Sequence, residues 1–427
     1  MGDDRHGGDR TGRPPGDEPT KVRAGLALAG VLATVLLVAV SVLSTTATVD
    51  AAAHPPIQAQ QAADVATPDA DSMSDEEFAT LLAAAELGPY AREDALADTF
   101  SMERAVTFLD RVAVTWGEKY GCVTCHTNGL YLTAPPEIFG ERRAFEITHK
   151  QAARFVRSWR TDDVPGHDAK YLQQTYAPSV VDVVGTSSFL AINEAQSGAS
   201  ELSDIAAEAL DHAWSLQDEG GHWADWTVNN WPPFESDFHF APTLMAIATG
   251  MAPGNYPSTD AAVVGMRRIR AHIDANPPKT AHNRGMLLWA GSVNEGLVGN
   301  ADRQRWIGEL LDLQRDDGGW ASGKLGVWRM REGLESDPPV TVESDGYGTG
   351  FVIYVLRQAG VPASHAAIQR GVGWLKANQR AGGYWWTQSI RNSFTTPNFL
   401  THAGTTFAVK ALAASAIETG GVANTER

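Results

Sequence analysis

The chain is 427 residues long and carries 51 acidic against 34 basic residues, a formal charge of −17. That length suits one large domain or two ordinary ones. No Lys/Arg-rich run occurs, which argues against a nucleic-acid partner. The 13 tryptophans lie close to glycines, and that clustering carries information used below.

Residues 1–23 are polar, with Arg5, Arg10, Arg13, Lys21 and Arg23 balanced by acids, and read as a disordered cytoplasmic tail. Residues 24–49 contain no charge, a length that spans a hydrocarbon core with some tilt. Lys21 and Arg23 precede this run and Asp50 follows it, so the bulk of the chain is expected outside the cytoplasm behind a single-pass anchor. A cleaved signal peptide, with Ala51-Ala52-Ala53 at the cleavage site, is the alternative, and it exports the same residues. Residues 50–73 read as a flexible linker. Over 74–100 a short helical lead-in follows, opened by the capping box of Ser74 and Glu77 and stopped by Gly88-Pro89.

Cys122-Val123-Thr124-Cys125-His126 contains the only two cysteines of the chain. This is the spacing for covalent haem c: two thiols add across the porphyrin vinyls and His126 becomes the proximal iron ligand. A disulfide or redox dithiol, or a metal site, are the other readings. A bridge across two residues closes little chain. A redox dithiol wants a βαβ context, and zinc a second ligand pair; neither is visible here.

From about residue 100 the chain repeats itself. The clearest unit runs from Arg305-Trp306 through Leu313-Gln314 to Asp317-Gly318-Gly319-Trp320. Looser copies hold Trp214, Gln217 and Trp223, then Trp374, Gln379 and Trp385. Each copy leads into a helix that is apolar on most sides and is therefore expected to be buried. Six pairs can be counted. Outer helices are expected near 102–119, 148–160, 201–217, 259–274, 302–316 and 365–379. Inner helices are expected near 129–138, 182–196, 240–250, 284–292, 347–359 and 402–418. The expectation is an all-α fold, an α6/α6 toroid over residues 101–420, followed by a short tail at 421–427.

The unit at 311–320 resembles the Gln-Trp repeat of squalene–hopene cyclases and related prenyltransferase-like α/α toroids. The resemblance implies a ring of inner helices around a cavity suited to a hydrophobic or isoprenoid-like ligand. It makes Gln217, Gln314, Trp223 and Trp320 braces of the outer shell. It also implies a catalytic acid in an Asp-x-Asp-Asp-Thr segment. Aligned on Thr349, that segment here is Asp345, Gly346, Tyr347 and Gly348, so the acid's place is held by Tyr347. The cyclase reaction is therefore not expected from it.

The motif falls in the outer-to-inner connection of the first pair, at the end where inner helices begin. Asp182, Asp237, His239, Asp345, His282 and His402 are expected at that end. Asp182, Asp237 and Asp345 would each cap an inner helix or face the cavity. Asp182, Asp237, Asp345 and His282 are the cavity candidates. Distal ligation of the iron would fall to His402, near the motif through ring closure, or to His167; Met286 and Met330 are rarer choices, and an open site is another. Two functions fit: a membrane-tethered haem protein passing electrons to an unknown redox partner or acting on a cavity ligand, or a cyclase-like enzyme or hydrophobic-ligand module with an accessory haem.

Overall fold

A computed structural model describes residues 74–83, 87–159, 178–227, 232–326, 328, 343–390 and 399–416. All of these fall within the unit 66–427. The segment 24–49, His167 and Met330 lie outside the described residues. Among the described residues no helix is long and apolar enough to cross a membrane.

Among the described residues the secondary structure is helical throughout, apart from one isolated bridge between Leu96 and Arg380. The lead-in helix α1 (Asp75–Ala83) opens as expected: Glu77 accepts from the Ser74 amide and hydroxyl, and the Ser74 hydroxyl accepts from the Glu77 amide. Helix α2 (Met102–Tyr120) is capped by Ser101 and stopped by Gly121 in the left-handed region. One-turn helices α3 (Asn128–Tyr131) and α4 (Pro136–Phe139) follow, then α5 (Arg143–Ser158) and α6 (Val180–Gln196). The chain continues through α7 (Asp204–Ser215), α8 (Phe240–Met251), α9 (Asp260–Ala275) and α10 (Ala281–Val293). It ends with α11 (Asn300–Asp312), α12 (Gly346–Gln358), α13 (Ala366–Asn378) and α14 (Leu400–Ala416).

Two boundaries differ most from expectation. The first inner helix, expected over 129–138, stops at Tyr131, because Pro135 and Pro136 cannot continue it and Pro136 instead opens α4. The second outer helix begins at Arg143 rather than 148, five residues early, since Ala144 and Phe145 bury in its first turn while Arg143 pairs with Asp75 of α1 (3.0 Å).

The helices sort into two layers. Segment α3 packs against α6, α6 against α8, α8 against α10, α10 against α12, α12 against α14, and α14 back against α3. This cyclic order is consistent with an α/α toroid. Nearly every residue of α12 and α14 is buried, whereas α11 buries only Trp306 and Leu310 fully.

The Gln-Trp units hold the layers together by one repeated device. The indole N–H of Trp223 donates to Ala213 O (2.9 Å), that of Trp320 to Leu310 O (2.8 Å), and that of Trp385 to Leu375 O (2.7 Å). Each indole thus ties its turn to its own outer helix. The glutamines reach onward: Gln217 donates to Gly265 O on α9 (3.2 Å) and Gln314 to Ala367 O on α13 (2.7 Å). Gln379 donates to Ser101 O and accepts from Ser101 N, both at 2.8 Å, so the sixth unit clasps the cap of the first outer helix. Gly383 (φ 93°) makes the same join sterically, because a Cβ there would strike Arg104 O.

Candidate functional site

The connection from α2 to α3 folds around Asn128. Its side-chain oxygen accepts from Thr124 N (3.0 Å) and its amide donates to Cys122 O (2.8 Å), which closes the loop over the two cysteines. Cys122 is half-buried and Cys125 buried, and both are free thiols rather than a disulfide. Burial pushes the Cys122 thiol up to about 11 and the Cys125 thiol well above its ordinary value. A redox dithiol works through a thiolate with a lowered pKa, so this environment suits it poorly. Among the described residues no group of three or more His, Cys, Asp or Glu side chains is arranged to hold a metal ion. That bears on a zinc site, and not on an iron that a porphyrin holds with one protein imidazole.

His126 is 7% exposed and fixed by aromatic rings. Phe399 lies parallel to the imidazole at 5.1 Å, and Trp116 meets it edge-on at 4.9 Å. His126 Nδ1 is 2.7 Å from the Thr127 hydroxyl, which is 2.9 Å from His402 Nδ1. His402 Nε2 is in turn 3.0 Å from the Tyr90 hydroxyl. The hydroxyl of Thr127 has one proton, so it donates to one imidazole and accepts from the other. This ties the orientation of His126 to a fully buried second histidine. Burial, and secondarily the charge of His126, push His402 far below the usual imidazole range, so it is neutral.

Ring closure thus brings His402 beside the motif, but both of its nitrogens are engaged. It stands as a brace of His126 through Thr127; binding iron as the distal ligand would require breaking its bond to Tyr90 or to Thr127. Sequence reading missed Thr127 and Tyr90, whose roles depend on contacts across 275 and 312 residues.

The acidic candidates are occupied structurally. Asp182 forms a capping box with Ser179 at the start of α6. Asp237 accepts from His239 N (2.8 Å) and from the Asn283 side chain (2.7 Å), joining α8 to α10. Asp345 caps α12 through Gly348 N (2.8 Å) and accepts from Ser322 N (2.8 Å) and Ser322 Oγ (2.7 Å). Fully buried, it is pushed up to about 6, the hydrogen bonds offsetting only part of the desolvation.

Tyr347 and His282 form a pair beside it. His282 Nε2 lies 2.8 Å from the Tyr347 hydroxyl, and Phe351 stacks on the imidazole at 4.6 Å. Burial lowers His282 to about 4, an interaction with the neighbouring Asn283 side chain offsetting only part of the desolvation. Met286 is buried on the same helix, α10. The Cys125 thiol lies within electrostatic reach of Tyr347, and a Cβ on Gly185 in α6 would touch Cys125 Sγ at 3.7 Å. The motif therefore packs on the N-terminal half of α6, towards the end where that inner helix begins.

All-helical architecture, cyclic inner packing and Trp-braced hairpins are consistent with an α/α toroid. No family model matches the chain. It is similar to the squalene–hopene cyclase of Zymomonas mobilis subsp. mobilis, 25% identical over 238 residues. The match takes in 53% of this chain and 28% of the cyclase, so the chain spans little more than a quarter of that relative's length. A distant squalene-cyclase-like relationship is what this supports.

Proposed function

We propose that this chain is an exported c-type haem protein on a squalene-cyclase-like toroid, with the haem carried by Cys122 and Cys125 and its iron held by His126. The observation that carries the reading is the donor set itself. Two free thiols stand three residues apart, and the next residue is an imidazole whose Nδ1 is already bonded to Thr127. A ligating histidine uses its second nitrogen in this way, to fix ring orientation and basicity. The bound haem would supply one-electron chemistry. The chain's own residues orient His126 through Thr127 and His402 and exclude water with Trp116 and Phe399. Electron transfer to a redox partner, or redox chemistry on an apolar ligand within the ring, is the role we infer for such a haem. The uncharged segment 24–49 would tether the protein to the membrane.

A second reading, a cyclase-like enzyme or hydrophobic-ligand module with accessory haem, draws on the likeness to the cyclase and on the buried, protonatable Asp345. Against it stand Tyr347 and Gly348 where a strong acid pair is required.

Protein made in cells with a cytochrome c maturation system should keep its haem through denaturing electrophoresis, and Cys122→Ser should lose most of the stain. Wild-type protein that runs without haem would end the proposal. Cyclic triterpene formed from squalene would favour the second reading.

A further inference from the structure

Among the described residues, lysine separates into two populations. Lys119, Lys150, Lys279, Lys324 and Lys376 are exposed, whereas Lys410, in the middle of α14, is 1% exposed. Among the described residues no carboxylate lies within ion-pairing distance of it, and burial alone depresses its basicity. A buried amine without a carboxylate partner carries a desolvation cost that a methionine of similar size does not.

The surroundings are specific. Lys410 Nζ is 2.7 Å from Thr133 O and 2.7 Å from Thr133 Oγ1. The Thr133 hydroxyl spends its own proton on Leu130 O (2.8 Å), so the amine donates to both Thr133 oxygens. A neutral amine then has one position left, its lone pair. Trp289 of α10 and Tyr354 of α12 each stand 4.5 Å from Nζ, and Phe407 stands at 5.9 Å. Four inner segments thus converge on one nitrogen inside an aromatic, water-poor wall.

A second polar group lies on the same stripe of the helix. His402, Thr406 and Lys410 follow at intervals of four, which places them on one face of α14. Thr406 is 1% exposed and its hydroxyl has no hydrogen-bond partner. A buried nucleophilic amine with an unused hydroxyl one turn away is the equipment for adding to a carbonyl.

We propose that Lys410 forms an imine with an apolar aldehyde or ketone held among the inner helices. The amine nitrogen adds to the carbonyl carbon and one amine proton passes to the carbonyl oxygen, with the Thr406 hydroxyl as the relay, to give a carbinolamine. The remaining amine proton and the carbinolamine hydroxyl leave as one water to yield the imine, so both hydrogen bonds to Thr133 are given up and no oxidant or reductant is consumed. The aromatic wall shields the bond from hydrolysis. The proposal is independent of the haem and of any electron transfer.

The test is reductive trapping on the full-length protein at pH 6 with farnesal, a C15 isoprenoid aldehyde, and cyanoborohydride, followed by peptide mass mapping. An unperturbed lysine amine, with a pKa of about 10.4, is almost wholly protonated at pH 6. Lys410 should carry the adduct at least about 10-fold more than any exposed lysine, by the difference in free amine. Lys410→Met should lose this adduct while its melting temperature stays level or rises. Should that variant fail to fold, the wild-type map decides alone. Lys410 left unmodified, or modified no more than the exposed lysines, would overturn the proposal.

Discussion

The connection after α11 and the connection after α2 hold equivalent places in the repeat, yet they are built on different plans. After α11 the chain turns through Asp317-Gly318-Gly319 and drives Trp320 back beneath its own helix, where the indole donates to Leu310 O. Trp320 N is also held by the Thr349 hydroxyl of the following inner helix (2.9 Å), so the turn is bonded on both sides. After α2 there is no such indole. The loop is closed from within by Asn128, and it presents two thiols and an imidazole instead. One connection joins layers; the other assembles a donor set. A repeat protein can give up a brace in one unit because its neighbours supply closure, and here Gln379 clasps Ser101 from the far end of the chain.

Breaking the brace should give the largest effect. Trp320→Ala removes a fully buried indole and should cost about 3–5 kcal/mol in denaturant unfolding. On the reading above, haem content per folded chain should be unchanged, because Trp320 hydrogen-bonds to α11 and α12 and to none of the motif residues. A Trp320→Ala protein of near wild-type stability would show that the Gln-Trp unit is not the joint described here.

Asp345 sharpens the comparison, since it ties the end of the braced connection, at Ser322, to α12. Its pKa is about 6 in the fold against 3.8 unperturbed, so the folded state binds more proton between these values. The ionised form is thus a burden that is present above pH 6 and relieved as the pH falls towards 4. Relative to Asp345→Asn, the wild type should gain on the order of 3 kcal/mol across that window. Equilibrium unfolding of both proteins from pH 4 to 7 measures it, and parallel stability profiles would contradict it.

How much of this the sequence shows depends on the range of the contact. The six pairs and the Trp braces follow from local repetition, because each indole bonds ten residues upstream. The cysteine spacing is local too. The short first inner helix is a near miss: Ala134-Pro135-Pro136 marks its stop, but the repeat count carried the expectation through it. The His126–Thr127–His402–Tyr90 chain depends on closure across the whole sequence, so only the closeness of His402 could be anticipated from counting. Lys410 had a visible signal, a lone cation within a helix apolar all round, which periodicity alone does not interpret.

The smallest expected effect on stability falls in the other connection. Asn128→Ala leaves the Thr124 amide and the Cys122 carbonyl without partners, at a cost of about 1–3 kcal/mol. Haem content should fall more sharply than stability, because the loop that holds the thiols in register is lost. Equal loss in both measurements would make Asn128 an ordinary structural residue.

The most direct measurement is the alkaline pyridine spectrum of the purified, reduced wild-type protein beside Cys125→Ser. The account predicts a haemochrome of the doubly thioether-linked type at one haem per chain, shifted to the single-link type or lost in the variant. A protein with no haemochrome, or with one whose haem extracts fully into acid acetone, would contradict it.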